Sequence, residues 1–335
     1  MTDFFRRKLN PSWYQGIRSA RQHFEGWYFK MISQDGHQLL AVIPGVFIDR
    51  DTEKSHAFIQ TFDGKSGRTF YFSYPLDQFR THKHAFDIQI GNSFFSQQKM
   101  LLNIREEGHR IDGELRFDNS ISWPRTWLSP GIMGWYTWVP FMECYHGIVS
   151  LDHGIQGRLE INGDEADFSA GRGYTEKDWG RSFPGAWIWC QSNHFDSAGT
   201  SLTGSIAIIP WVRKPFLGFI FGLWHEQRLY KFATYTGSRL THFEVGDTFV
   251  HWVLEDKTHI LEIRALRSGG GTLVAPTLNG MTHEISESLS SAIEVKLSSR
   301  QDSANPAFES TGRFAGFEIA GDINGLNDMY HAQVE

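Results

Sequence analysis

Cysteine is nearly absent from this chain. Two thiols in 335 residues, Cys144 and Cys190, supply neither a disulfide framework nor a four-cysteine zinc site. Such a chain is expected in a reducing compartment, which points to the cytoplasm. Basic runs are missing as well. With 32 Lys and Arg against 38 Asp and Glu the formal net charge is −6, and nucleic acid is therefore not an expected partner. No apolar run is long enough for a membrane helix. Residues 204–224 are apolar, but Pro210, Arg213, Lys214 and Pro215 break them, so they read as strand, tight turn, strand. Residues 127–141 are aromatic, bounded by prolines and too short to span a bilayer, which leaves peripheral membrane contact open. The opening MTDFFRRKLNPSWYQG has basic residues but no apolar stretch behind them, so no secretory signal is expected. A sustained helical period is also lacking, and nothing fixes an oligomeric state.

What the chain does have is short alternating segments and many aromatics, which make up 15% of it. Ile111, Gly113, Leu115 and Phe117 alternate with Asp112, Glu114 and Arg116. Ile155, Gly157, Leu159 and Ile161 do the same, and Asn162-Gly163 follows as a hairpin signal. Similar segments recur near 39–48, 55–62, 69–74, 84–90, 99–105, 201–209, 217–225, 228–235, 249–255, 259–266, 293–297 and 312–320. This rhythm predicts an all-β chain, and 335 residues exceed one ordinary core. FEGWYFK at 24–30 is echoed by FPGAWIWC at 183–190, about half the chain later. A glycine and tryptophan on a first strand are a lipocalin habit. The expected architecture is two antiparallel lipocalin-like β-barrels in tandem with few short helices, each with room for a small ligand. Their expected spans are 1–176, with a lead-in and an aromatic lip, and 177–335.

The densest chemistry lies in GRGYTEKDWGRSFPGAWIWCQSN (171–193). Its first half, with Gly171, Gly173 and Gly180, reads as a connector holding Tyr174, Glu176, Lys177, Asp178 and Trp179. Its second half reads as a strand with Trp187, Trp189, Gln191 and Asn193 on one face and Ile188 and Cys190 on the other. That face suits an amphipathic aromatic ligand, or equally a core tryptophan with a satisfied polar belt. Glu25 beside Trp27 is a second carboxylate near an aromatic, and it could instead pair with Arg21 or Arg172. In MECYHG, Cys144 and His146 share a strand face while Glu143 and His153 take the other, so three metal ligands do not converge. Glu143 or His146 could instead move protons, and Trp135 stands in a segment that could form an apolar lip.

FEGWYFK (24–30), PGIMGWYTWVPFMECYHGIVSLDH (130–153) and YTEKDWGRSFPGAWIWCQSN (174–193) together resemble the tocopherol cyclase-like family, and TLVAPTLNGMTHEI (272–285) extends the likeness. The resemblance implies a tandem lipocalin-like fold, no metal, and closure of a chromanol ring on a prenylated hydroquinone. Such closure protonates an alkene, forms a tertiary cation and lets the phenol oxygen attack it, with no redox cofactor. It needs an acid, aromatic faces, a base and a dry pocket. Asp178 is the first choice of acid, then Glu176 and Glu25. Trp27, Tyr174, Trp179, Trp187, Trp189, Gln191, Asn193 and Trp135 are the expected substrate contacts. A related isomerisation or hydration of an isoprenoid belongs to the same expectation, and the competing one is a carrier of a hydrophobic isoprenoid or aromatic ligand with no chemistry of its own.

Overall fold

The computed structural model describes residues 3–16, 22–106 and 108–334. Among them the chain is almost entirely antiparallel β, in two compact units. The first comprises 1–183 with 272–284, and the second 184–271 with 285–335. The observed break therefore falls after Phe183, whereas the sequence suggests 176/177. A strand crosses 176/177 without interruption.

The first unit opens with helix α1 (Asp3–Lys8) and strands β1 (His23–Ile32), β2 (Leu39–Ile48), β3 (His56–Asp63) and β4 (Thr69–Tyr74). Next come β5 (Phe79–Thr81), β6 (Asp87–Ile90), β7 (Ser93–Ser96), β8 (Lys99–Glu106) and β9 (His109–Ile121). β10 (Cys144–Ile161), β11 (Asp164–Asp167) and β12 (Gly171–Gly180) complete its sheet. The neighbours run β4-β3-β2-β1-β12-β10-β9-β8-β7-β6-β5, with β11 on β10. A 3₁₀ turn at Leu76–Gln78 links β4 to β5, the two ends of that path, and the sheet curls into a nearly closed barrel. Its core holds Trp27, Phe29, Met31, Phe95, Leu115 and Phe168.

The second unit repeats this plan. It contains β13 (Ala186–Ser192), β14 (Ser201–Ile209), β15 (Phe216–His225), β16 (Arg228–Ala233) and β17 (Arg239–Val245). β18 (Phe249–Glu255), β19 (His259–Leu266), β20 (Gly271–Thr277), β21 (Gly280–Ser299) and β22 (Phe308–Gly321) follow. The order is β16-β15-β14-β13-β22-β21-β19-β18-β17, with β20 on β21. β1 and β13 thus hold the same place, each between the next strand and the last strand of its sheet. The two barrels are lipocalin-like and in tandem, as the sequence suggests. Helix α2 (Ile323–Val334) was not visible in the sequence. Its Leu326 and Tyr330, one helical turn apart, join the second core beside Trp252 and Leu297.

Two segments differ from their sequence reading for physical reasons. The supposed connector at 171–180 is β12, a central strand paired on both sides, with β1 and β10. Its glycines answer close approaches. A Cβ at Gly173 would lie 2.3 Å from the His153 Nε2, and one at Gly171 would lie 2.4 Å from the Ile32 carbonyl oxygen. The segment read near 84–90 begins in a turn and becomes strand only at β6, which pairs back on β5.

Core truncation should separate buried from exposed apolar positions in the second unit. Leu297→Ala removes a fully buried side chain and is expected to cost about 2–5 kcal/mol, read as a lower urea-unfolding midpoint. In the first unit the exposed Leu278→Ala should stay within about 0.5 kcal/mol of wild type.

Candidate functional site

Alternation along β12 decides what each side chain can do. Lys177 and Trp179 face the same side as Glu25 and Trp27, because Trp27 pairs with Lys177 and Glu25 with Trp179. Tyr174, Glu176 and Asp178 face the other side, with Tyr28 and Lys30 of β1 and His146 of β10. Two separate polar constellations result, one on each face.

On the face that carries Trp27 into the core, Lys177 and Glu25 form a fully buried ion pair, Nζ to Oε2 2.5 Å. His23 Nε2 lies 2.8 Å from Glu25 Oε1, and the Gln15 backbone N–H donates to Glu25 Oε2 at 2.9 Å. Lys177 also donates to the Trp13 carbonyl at 2.6 Å, and its ammonium sits 4.5 Å from the Trp27 ring and 4.9 Å from the Trp179 ring. Burial pushes the lysine down to about 8, with Glu25 opposing that shift. Burial raises the Glu25 carboxyl, but Lys177 and His23 outweigh it and hold the group below its usual value. A carboxylate kept ionised in this way is no proton donor, which removes Glu25 from the acids named above. Of the arginines considered for it, Arg172 is engaged by Asp152 through two contacts of 3.0 and 2.6 Å, and Arg21 lies outside the described residues. The faces of Trp27 and Trp179 already serve a cation, that of Lys177, so neither ring stands ready to steady a carbocation.

The opposite face holds the groups suited to proton transfer. His146 Nδ1 lies 2.9 Å from Asp178 Oδ1, and its Nε2 lies 3.7 Å from Glu176 Oε2. The Tyr174 hydroxyl donates to Glu176 Oε2. Glu176 is buried, and the His146 and Asp178 side chains are largely so. Burial lowers the affinity of His146 for its proton, but the Asp178 and Glu176 carboxylates more than reverse this, and the ring rises to about 9. The imidazole thus keeps its proton at neutral pH beside two carboxylates. The thiol of Cys144 lies 4.0 Å from Asp178 Oδ1 and is pushed well up by burial, with the nearby carboxylates adding to it.

The remaining sequence candidates are placed elsewhere. Glu143 reaches only Arg181, at 4.0 Å, and its carbonyl accepts the Arg181 N–H. Trp135 is exposed and stacks on Tyr136. His153 is buried against Phe117 with Nδ1 on the Ser150 hydroxyl, and burial holds it neutral, down to about 3. The group Glu143, Cys144, His146 and His153 therefore does not assemble. His146, Glu176 and Asp178 do: one ligand atom from each lies within 4.8 Å of the others, an N,O,O set that could seat a divalent cation. A second set of this kind, His242, Glu244 and His251, lies on β17 and β18 of the second unit.

Within the second unit, Ile188 and Cys190 join the core, and Trp187, Trp189 and Gln191 take the opposite face. Asn193 lies beyond the strand end, with Oδ1 3.0 Å from His194 Nδ1. The Trp187 indole N–H donates to Glu318 Oε2 at 3.0 Å. Glu318 pairs in register with both Trp189 and Glu287, and both glutamates are buried. Neither was singled out in the sequence. The available signal was a carboxylate between the core residues Phe317 and Ile319. Lys30, fully buried in β1, was not singled out either.

Comparison with known proteins follows this geometry. The family model described as tocopherol cyclase-like matches residues 97–321. A probable chloroplastic tocopherol cyclase of Oryza sativa subsp. japonica is 32% identical over 156 residues, 43% of this chain and 32% of that protein. The chloroplastic tocopherol cyclase of Zea mays is 24% identical over 318 residues, 78% of this chain and 66% of that protein. The chain thus spans about a third of the rice protein and just under two thirds of the maize protein. Among solved structures, CghA superposes with a TM-score of 0.55 at 9% identity, covering 90% of this chain and 89% of its own. A putative AttH from Nitrosomonas europaea gives 0.50 at 12% identity, with 90% and 92% covered. These two likenesses bear on the fold alone. No helix among the described residues is long and apolar enough to cross a membrane.

Two measurements test the electrostatics. Glu25→Gln or Lys177→Met alone leaves a buried charge unpaired and should cost about 3–5 kcal/mol, while the double variant should be less destabilised than either. For His146, whose folded value lies above the unfolded one, the stabilisation is full below about pH 6.5 and is lost as pH rises through about 9. The melting-temperature gap between wild type and His146→Gln should therefore shrink across that window.

Proposed function

The chain belongs to the tocopherol cyclase-like family, and on that premise we propose that it closes an oxygen ring on a prenylated hydroquinone, with the Asp178–His146–Glu176 cluster supplying and recovering the proton. The observation that carries this reading is the mostly buried cluster itself, with His146 2.9 Å from Asp178 and 3.7 Å from Glu176, whose charges favour a protonated ring. In the resting state that proton rests on His146, and an imidazolium near 9 is a weak acid toward carbon. Entry of an apolar substrate changes the balance. Excluding water penalises the charged pair and favours neutral imidazole beside a neutral carboxyl. Asp178, hydrogen-bonded to the ring, is the carboxyl that takes the proton and passes it to the alkene.

Atoms balance within the cycle. The alkene carbon gains the carboxyl proton and the tertiary cation forms at its neighbour. The phenol oxygen attacks that cation, and the phenol proton returns to His146 or Asp178. The product is an isomer of the substrate, and no redox equivalent is consumed. Tyr174, bonded to Glu176, holds the second carboxylate in place, and its negative charge helps keep the proton in the cluster. In this scheme Trp27 and Trp179 position Lys177 and do not touch substrate. A carrier that binds such a molecule without converting it remains the competing reading.

The decisive assay incubates purified protein anaerobically with a prenylated hydroquinone and no added cofactor. Wild type should yield a product of unchanged mass, and Asp178→Asn should lower the rate by about 10²–10⁴-fold while substrate still binds. Binding without product in wild type would establish the carrier instead. Turnover should also survive EDTA, and a loss restored by a divalent metal would reassign the cluster as a metal site.

A further inference from the structure

The segment between β9 and β10 spends apolar surface on solvent. From Trp123 to Met142, twenty residues carry a single charge, Arg125. Ile132, Met133 and Met142 are buried and anchor the segment. Trp127, Leu128, Trp135 and Phe141 are nevertheless 60%, 83%, 45% and 49% exposed. Hydrogen bonds hold this arrangement. Thr126 and Ser129 exchange backbone bonds of 2.9 and 3.2 Å, which sets Trp127 and Leu128 at the tip of a tight turn. The Trp138 indole N–H donates to the Trp127 carbonyl at 3.1 Å, and a 3₁₀ turn at Gly134–Trp138 carries Trp135.

We infer that this lip docks on the surface of a lipid bilayer, with Trp127 and Leu128 entering the acyl boundary. The protrusion is a turn tip with a few large side chains. Its chemistry suits a bilayer, with tryptophans at the headgroup level and leucine and phenylalanine below. Basic side chains stand at its border, where Phe5 of α1 packs on Trp138, and the Glu143 that follows the lip faces Arg181 at 4.0 Å. Arg125 is fixed there by the Leu9 carbonyl at 3.0 Å and Asn10 Oδ1 at 3.3 Å, and Arg6 of α1 is exposed. The lip also reaches the proton cluster, because the His146 backbone N–H points at the Met133 sulfur at 3.0 Å. The docking itself does not rest on the cyclisation reading.

The test is co-sedimentation of the full chain with phosphatidylcholine vesicles containing a minority of phosphatidylglycerol. Wild type should pellet with vesicles, and the Trp127→Ser, Leu128→Ser double variant should lose about tenfold in bound fraction with an unchanged unfolding midpoint. Should that variant misfold, Trp127→Phe serves in its place. It should keep binding but lose part of the fluorescence quenching by brominated lipid seen in wild type. The inference is overturned if wild type does not sediment with vesicles. It is also overturned if the variants bind and quench like wild type, or if the lip proves to mediate self-association in vesicle-free ultracentrifugation.

Discussion

A buried ion pair fixes the first barrel. Glu25 and Lys177 face one another across the β1–β12 pairing with no exposed surface on either side chain. Taking two such ions out of water costs several kcal/mol each, and the attraction between them offsets this only when the remaining donors and acceptors are satisfied. Here they are satisfied from several elements at once. His23 and the Gln15 N–H serve the carboxylate, and the Trp13 carbonyl and two indole faces serve the ammonium. Two of these partners belong to the lead-in. Trp27 adds a bond from its indole N–H to the Ser12 carbonyl. The lead-in is thus stitched to the barrel by the very groups that make the ion pair tolerable.

The same pair determines which face the other polar groups of β12 take. Side chains on a strand alternate, so a lysine directed toward Glu25 obliges Glu176 and Asp178 to take the other face. A one-residue slip of β12 would exchange the two sets, leaving two carboxylates beside Glu25 and an unpaired lysine beside His146. The cost of that arrangement fixes the register. It also explains why carboxylates in one short region behave differently. Glu25 meets a lysine and a histidine that favour its charged form, so it stays ionised. Asp178 and Glu176 instead meet an imidazole, and their charges strengthen its hold on a proton.

How much of this was legible in the sequence follows from the range of each interaction. Alternation is local, and most strands could be read from it, as could the opposed faces of Trp187 and Ile188. The MECYHG faces were also read correctly for Cys144 and His146, but the partner of His146 was not. That partner depends on the pairing of His146 with Asp178 across β10 and β12, which no stretch of single sequence displays. β12 was mistaken for a connector because glycine signals a turn and close approach alike. Only the neighbouring atoms, the His153 ring and the Ile32 carbonyl, tell the two apart. Helix α2 escaped because its packing rests chiefly on Leu326 and Tyr330 among polar residues, too few anchors to make a period.

The internal echo was real at the level of topology and misleading at the level of side chains. β1 and β13 occupy equivalent places in their sheets, yet after the shared glycine Trp27 follows at once while Trp187 follows one residue later. Trp27 therefore points into its core, whereas in β13 Ala186 takes the core position and Trp187 the opposite face. One inserted residue reverses every side chain that follows it on a strand. In the first unit the face away from the core carries the proton cluster. In the second it carries two tryptophans, a glutamine and the buried Glu318, which accepts an indole N–H. Duplicated architecture has thus produced two polar faces of different chemistry, and a one-residue offset in a strand is a physically sufficient cause for that difference.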